Sequence, residues 1–148
     1  MSNNMGERLP MGFLITTLSH EFRTRTTAAL EPYDLSTREF GLLVRLLHHG
    51  TLTQSKLGQL HHTDRTSMVS CIDDLEAKGL VERRRDPNDR RAYLVSLTDH
   101  GRSTLVSAGK LVEEAERDIT ASLTDRQRED VRMLLTRAVS DIQSTIQA

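Results

Sequence analysis

Apolar positions recur at helical spacing through most of this chain, and one short stretch breaks that rhythm. From Leu9 to about Leu30, Met11, Leu14, Ile15, Leu18 and Phe22 fall on one stripe, continued by Ala28 and Ala29. Pro32 and Asp34 end this first helix. Ser36-Thr37-Arg38-Glu39 reads as a capping box that opens a second helix, with Leu35 placed to staple Phe40 and with Phe40, Leu43, Leu46 and Leu47 inward. Gly50 stops it, Thr53 caps a short third helix carrying Leu57 and Leu60, and Asp64 or Thr63 caps a fourth.

In the fourth helix Met68, Cys71, Ile72 and Leu75 stand at i, i+3, i+4 and i+7 and point inward, and Gly79 takes the C′ position. Its opposite face shows Arg65, Thr66, Ser67 and Ser70, all small, polar or cationic, which suits approach to a large anionic surface. The rhythm then changes. Val81 to Arg85 forms a strand, Asp86-Pro87-Asn88-Asp89-Arg90-Arg91 a charged turn, and Ala92 to Leu97 a returning strand. Two helices followed by a hairpin predict a winged helix, so the fold class is mainly α (α+β). Beyond the hairpin, Thr98 opens a helix bearing Leu105, Ala108, Leu111, Val112, Ala115 and Ile119. A Thr124/Gln127 capping box opens the last, with Val131, Leu134, Leu135, Ala138, Val139, Ile142 and Ile146.

The first and last two helices carry more apolar surface than a small winged domain can cover. A homodimer that buries residues 9–34 and 99–147 around a two-fold axis is the simplest solution, leaving residues 35–98 as the winged helix-turn-helix. Residues 1–8 are polar and expected to fray.

Composition adds little until charge is placed on the chain. Of 148 residues, 36% are hydrophobic and 3% aromatic, with no Trp, so the core is aliphatic, and the net charge of −1 gives no global basic field. Arg83 to Arg91 nevertheless holds five arginines against two aspartates, so cationic charge concentrates at the hairpin. The lone Cys71 excludes an intramolecular disulfide and suits a reducing compartment. Met11 to Ile15 is too short for a signal sequence, no stretch approaches a membrane span, and the expected location is the cytoplasm.

Two segments, Leu75-Glu76-Ala77-Lys78-Gly79-Leu80-Val81-Glu82-Arg83 and Asp86-Pro87-Asn88-Asp89-Arg90-Arg91 through Leu97-Thr98-Asp99-His100-Gly101, resemble the MarR family of bacterial transcriptional regulators. Leu52-Thr53-Gln54 and Asp64-Arg65 support the resemblance, which covers Leu9 through the last helix. It implies a dimeric winged helix-turn-helix regulator, more often a repressor, on pseudo-palindromic double-stranded DNA, released by a small anionic or phenolic ligand or by an oxidant. The DNA-binding set on this reading is Thr53, Gln54, Arg65, Thr66, Ser67, Ser70, Arg83, Arg85, Asp89, Arg90 and Arg91. Asp89 acts as a brace for a wing arginine, and strand alternation lets at most two of Arg83, Arg84 and Arg85 face DNA together. The family often has Arg where this chain has Ser70, so base reading passes to Arg65 or Ser67. The resemblance also implies an effector pocket where the first, second and fifth helices meet, with His20, Arg23 and His48 as candidates to pair a carboxylate.

Other chemistry has weaker footing. No cofactor is expected. Adjacent histidines on one helix diverge by about 100°, and no His-x₃-His pair or His/Cys pair at ligand spacing occurs, so no metal site is assigned. Catalysis is not expected: there is no Gly-rich phosphate loop, no Gly-x-Ser-x-Gly and no His-Glu-x-x-His. A redox regulator acting through Cys71 is an alternative. However, Cys71 lies on the inward stripe, where apolar burial suppresses thiolate formation, and the hydroperoxide-sensing branch of the family keeps its reactive Cys in the first helix, where this chain has none. The remaining alternative is a winged helix that binds another protein through its basic tip.

Overall fold

A computed structural model describes residues 8–147, with side chains to Ile142. The fraying expected for residues 1–8 falls, apart from residue 8, outside the described residues, as does the side chain of Ile146. The order is α1 (Met11–Leu30), a 3-10 turn (Glu31–Tyr33), α2 (Thr37–His49), β1 (Leu52–Thr53), α3 (Gln54–Leu60), α4 (Arg65–Ala77), β2 (Val81–Arg85), β3 (Tyr93–Leu97), α5 (Asp99–Ile119) and α6 (Asp125–Gln147). By contacts the chain divides at Ala115–Glu116.

In the first unit the helix boundaries follow their caps. Ser36 and Glu39 form the reciprocal box: Ser36 Oγ accepts from the Glu39 N–H at 3.2 Å, and Glu39 Oε2 takes the Ser36 N–H at 2.8 Å. Asp34 and His62 hold left-handed backbone at φ 50° and 49°, turning the chain between helices. The core is aliphatic: Leu30, Leu42, Leu43, Leu46, Leu57, Met68, Ile72, Leu75 and Val95 are all but fully buried. Leu42 rather than Leu47 completes the α2 stripe. Leu47 remains 45% exposed, because a stripe of Glu39, Leu42, Leu43 and Leu46 leaves it at the margin.

Among the described residues the sheet has three strands in the order β1-β3-β2, one more than the hairpin. β1 pairs Leu52 with Val95 and Thr53 with Leu94, fastening the start of α3 to the hairpin. Leu105, Ala108 and Val112 of α5 complete this unit's core.

The second unit holds the end of α5 and α6. Thr124 and Gln127 cap α6 reciprocally at 2.9 and 3.2 Å, and Arg128 donates to the carbonyls of Thr120 and Leu123. Along α6, Val131, Leu134, Leu135, Val139 and Ile142 are 44–62% exposed, an apolar stripe without cover in the single chain. No helix among the described residues is long and apolar enough to cross a membrane.

Candidate nucleic-acid interface

The helix-turn-helix is built by caps at each corner. Thr53 Oγ1 accepts from the Lys56 N–H at 3.1 Å and starts α3. The turn closes as the Thr63 N–H reaches the Gly58 carbonyl at 3.0 Å. Asp64 Oδ1 then accepts from the Ser67 N–H at 2.9 Å and starts α4; this backbone bond holds the Asp64 carboxyl below its usual range. At the far end, Leu80 N–H bonds the Leu75 carbonyl and Gly79 N–H the Glu76 carbonyl, both at 2.9 Å. Gly79 supplies the φ of +70° that this closure demands.

These corners fix which face of α4 looks outward. Met68, Cys71, Ile72 and Leu75 are buried, Arg65, Thr66 and Ser70 are exposed, and Ser67 is half-buried. Burial is the main reason the Cys71 thiol is pushed up to about 11, with the Glu39 carboxylate adding to it. A thiol in that state is a core side chain rather than a nucleophile.

The wing is a five-pair hairpin from Val81↔Leu97 to Arg85↔Tyr93. Its tip is shaped by two aspartates: Asp86 Oδ1 accepts from the Asn88 N–H at 2.8 Å, and Asp89 Oδ1 accepts from the Arg91 N–H at 2.9 Å. Asp89 thus braces the backbone beneath Arg91, leaving Arg90 and Arg91 exposed. Arg85 lies over the Tyr93 ring at 4.8 Å and donates to the Arg90 carbonyl at 2.6 Å, tying the tip to the strands. Arg83 turns the other way: its guanidinium meets Asp73 at 2.6 Å and Glu76 at 2.7 Å, both on α4.

Between α3, α4 and the wing runs a groove of about 1070 Å³, lined by six of the expected residues: Thr53, Gln54, Arg65, Arg83, Asp89 and Arg91. Thr66, Ser67, Ser70, Arg85 and Arg90 are not part of its lining. His62, Thr63 and Tyr93 also line it. His62 and Thr63 lie outside the DNA-binding set expected from the sequence, where Thr63 figures only as a possible cap of α4. Asp64 takes that role, and the place of His62 and Thr63 in the turn between two capped helices was the signal. His20 and Arg23 are exposed on α1 and His48 in the last turn of α2; among the described residues no hydrogen bond or ion pair joins the three. No group of three or more His, Cys, Asp or Glu side chains gathers as a metal would require, again among the described residues.

Comparison with known proteins bears on the family. The MarR family profile matches residues 35–93, the span from the approach to α2 to the first residue of β3. The multiple antibiotic resistance protein MarR of Salmonella typhimurium is 30% identical over 100 residues, 68% of this chain and 69% of that protein. The chain belongs to the MarR family. An uncharacterized HTH-type transcriptional regulator of Bacillus subtilis, YdcH, is 31% identical over 121 residues, 79% of this chain and 82% of that one. Among solved structures, a mutant Escherichia coli MarR complexed with operator DNA superposes with a TM-score of 0.73 at 27% identity, covering 93% of this chain and 99% of that one. As a MarR-family protein, this is a winged-helix transcription regulator and not an enzyme.

Proposed function

We propose that this regulator binds double-stranded DNA sequence-specifically as a homodimer, represses from a pseudo-palindromic operator in the cytoplasm, and is released by a small anionic or phenolic effector. The observation that carries the reading is the pairing of two outward surfaces, the small polar face of α4 and the arginine tip of the wing, of which Arg65 and Arg91 line the same groove. A helix face free of bulk enters a major groove, and a hairpin extending beside it reaches the backbone or the neighbouring minor groove. The solved complex of a related MarR with operator DNA supports this use of the fold.

Dimerisation is supported by the bare α6 stripe and, in the other unit, by Met11, Phe13, Leu14, Ile15 and Leu18 of α1, which are 44–75% exposed. Apolar rows of this length are stable in water when a second copy covers them. The effector is proposed near His20, Arg23 and His48, where the Arg23 guanidinium offers a carboxylate a cationic partner. Oxidant release through Cys71 is disfavoured by its burial.

Titration of affinity against salt tests the reading. Cationic contacts to phosphates make log affinity fall linearly with log salt, by about 0.9 per phosphate neutralised. A shallow response with equal affinity for every duplex contradicts DNA recognition and favours an acidic protein partner instead.

A further inference from the structure

Strand alternation lets Arg83 reach DNA, yet its half-buried guanidinium is held by two carboxylates of α4. Nη2 lies 2.6 Å from Asp73 Oδ1 and 2.7 Å from Glu76 Oε2, and Nε donates to the same Glu76 oxygen at 3.0 Å. The Arg83 backbone N–H also donates, at 3.3 Å, to Glu76 Oε1. That N–H belongs to β2, an edge strand whose outer groups have no strand partner, so Glu76 closes a gap the sheet leaves open. Asp73 and Glu76 are three residues apart on α4 and share a face, which makes them a forked acceptor for a planar forked donor. One cation against two carboxylates adds no net positive charge toward a polyanion.

We propose that Arg83 is a positioning residue that locks the wing to the recognition helix and so fixes the offset between the outer face of α4 and the tip at Arg90 and Arg91. The proposal rests on the DNA-binding reading, because only a ligand spanning both surfaces senses that offset. β2 starts four residues after α4 ends, and the chain reverses at Gly79. Strand and helix therefore share one covalent hinge, and Arg83, on the third residue of β2, is the brace that stops it opening.

The test uses the sign of an effect. D73N/E76Q removes two negative charges close to the interface. If Arg83 is a DNA contact, freeing it and deleting those charges tightens binding and steepens the salt slope. If Arg83 is a brace, the same variant weakens binding about five- to tenfold with the slope unchanged. R83K, which keeps the charge but loses the fork, is expected to weaken binding to a similar degree. The probe is a duplex selected from a random pool by the wild-type protein. Amide hydrogen exchange across residues 81–85 of the DNA-free protein gives a second readout: faster exchange in D73N/E76Q supports the brace, and unchanged exchange overturns it. Tighter binding by D73N/E76Q also overturns it. If the wild-type protein selects no duplex, the DNA-binding reading fails, and exchange in the free protein decides whether the brace exists.

Discussion

Gly101 packs directly on the backbone of Leu80: a Cβ at position 101 would lie 2.0 Å from the Leu80 carbonyl oxygen. The same carbonyl accepts the Thr98 N–H at 3.1 Å. The Thr98 hydroxyl donates to the Gly79 carbonyl at 2.6 Å and accepts the Gly101 N–H at 2.9 Å, so it caps α5 while gripping the end of α4. Strand exit, helix entry and recognition-helix terminus meet in one knot. The Leu97-Thr98-Asp99-His100-Gly101 segment carries the chain through it, with Thr98 as the grip and Gly101 as the close approach.

Gly101→Ala is therefore expected to destabilise the protein by roughly 1–3 kcal/mol, since the clash is with backbone that cannot rotate away. Urea denaturation measures it. A wild-type midpoint would contradict the packing.

The buried carboxylate of Glu39 sets an acid limit. Burial pushes its pKa upward, but the Lys78 ammonium at 2.8 Å and the bonds to Ser36 outweigh this, so it stays below its ordinary 4.5. A carboxyl lowered by folding stabilises the native state above about pH 4.5, and that contribution is lost as pH falls through the lowered value. Glu39→Gln is expected to flatten, in part, the loss of stability on acidification. Part of the loss remains because Asp64 and Asp125 are also lowered. Lys78→Met leaves Glu39 unpaired and is expected to cost about 2 kcal/mol at neutral pH. Denaturation midpoints across pH 3–7 check both; an identical pH profile for Glu39→Gln contradicts the assignment.

Cys71 is expected to resist alkylating reagents and peroxide in the folded protein at pH 8, because it is buried and its thiol is held near 11. Mass spectrometry with and without denaturant checks this. Rapid modification of the native state would revive a redox role.

Much of this was legible from local patterns. The Ser36–Glu39 box, the Asp64 cap, the Met68-Cys71-Ile72-Leu75 stripe and Gly79 are each set by residues within a turn or two, so spacing alone reveals them. Strand β1 was not legible, because two residues have no period and Leu52 and Thr53 read equally well as the approach to α3. The Glu39–Lys78 pair joins residues 39 apart, and the Arg83 brace depends on a chain reversal that spacing does not measure. Side chains bound across such distances look like solvated charge in the sequence. That is why the ion pairs of Arg83 with Asp73 and Glu76 are not visible in the sequence.

Arg91 stands at the exposed tip, held from beneath by Asp89. Arg91→Ala is expected to weaken binding to all duplexes about equally and to lower the salt slope by about 1. Anisotropy titrations at several salt concentrations check it. A change confined to one sequence would assign Arg91 to base reading.

Selection of duplexes from a randomised pool by the wild-type protein is the most direct measurement. On the proposed homodimer, a symmetry-related pair of α4 helices predicts enrichment of an inverted repeat with half-sites roughly 10 to 10.5 bp apart, centre to centre. Enrichment of an isolated half-site, or of no sequence at all, would contradict a dimeric DNA-binding regulator.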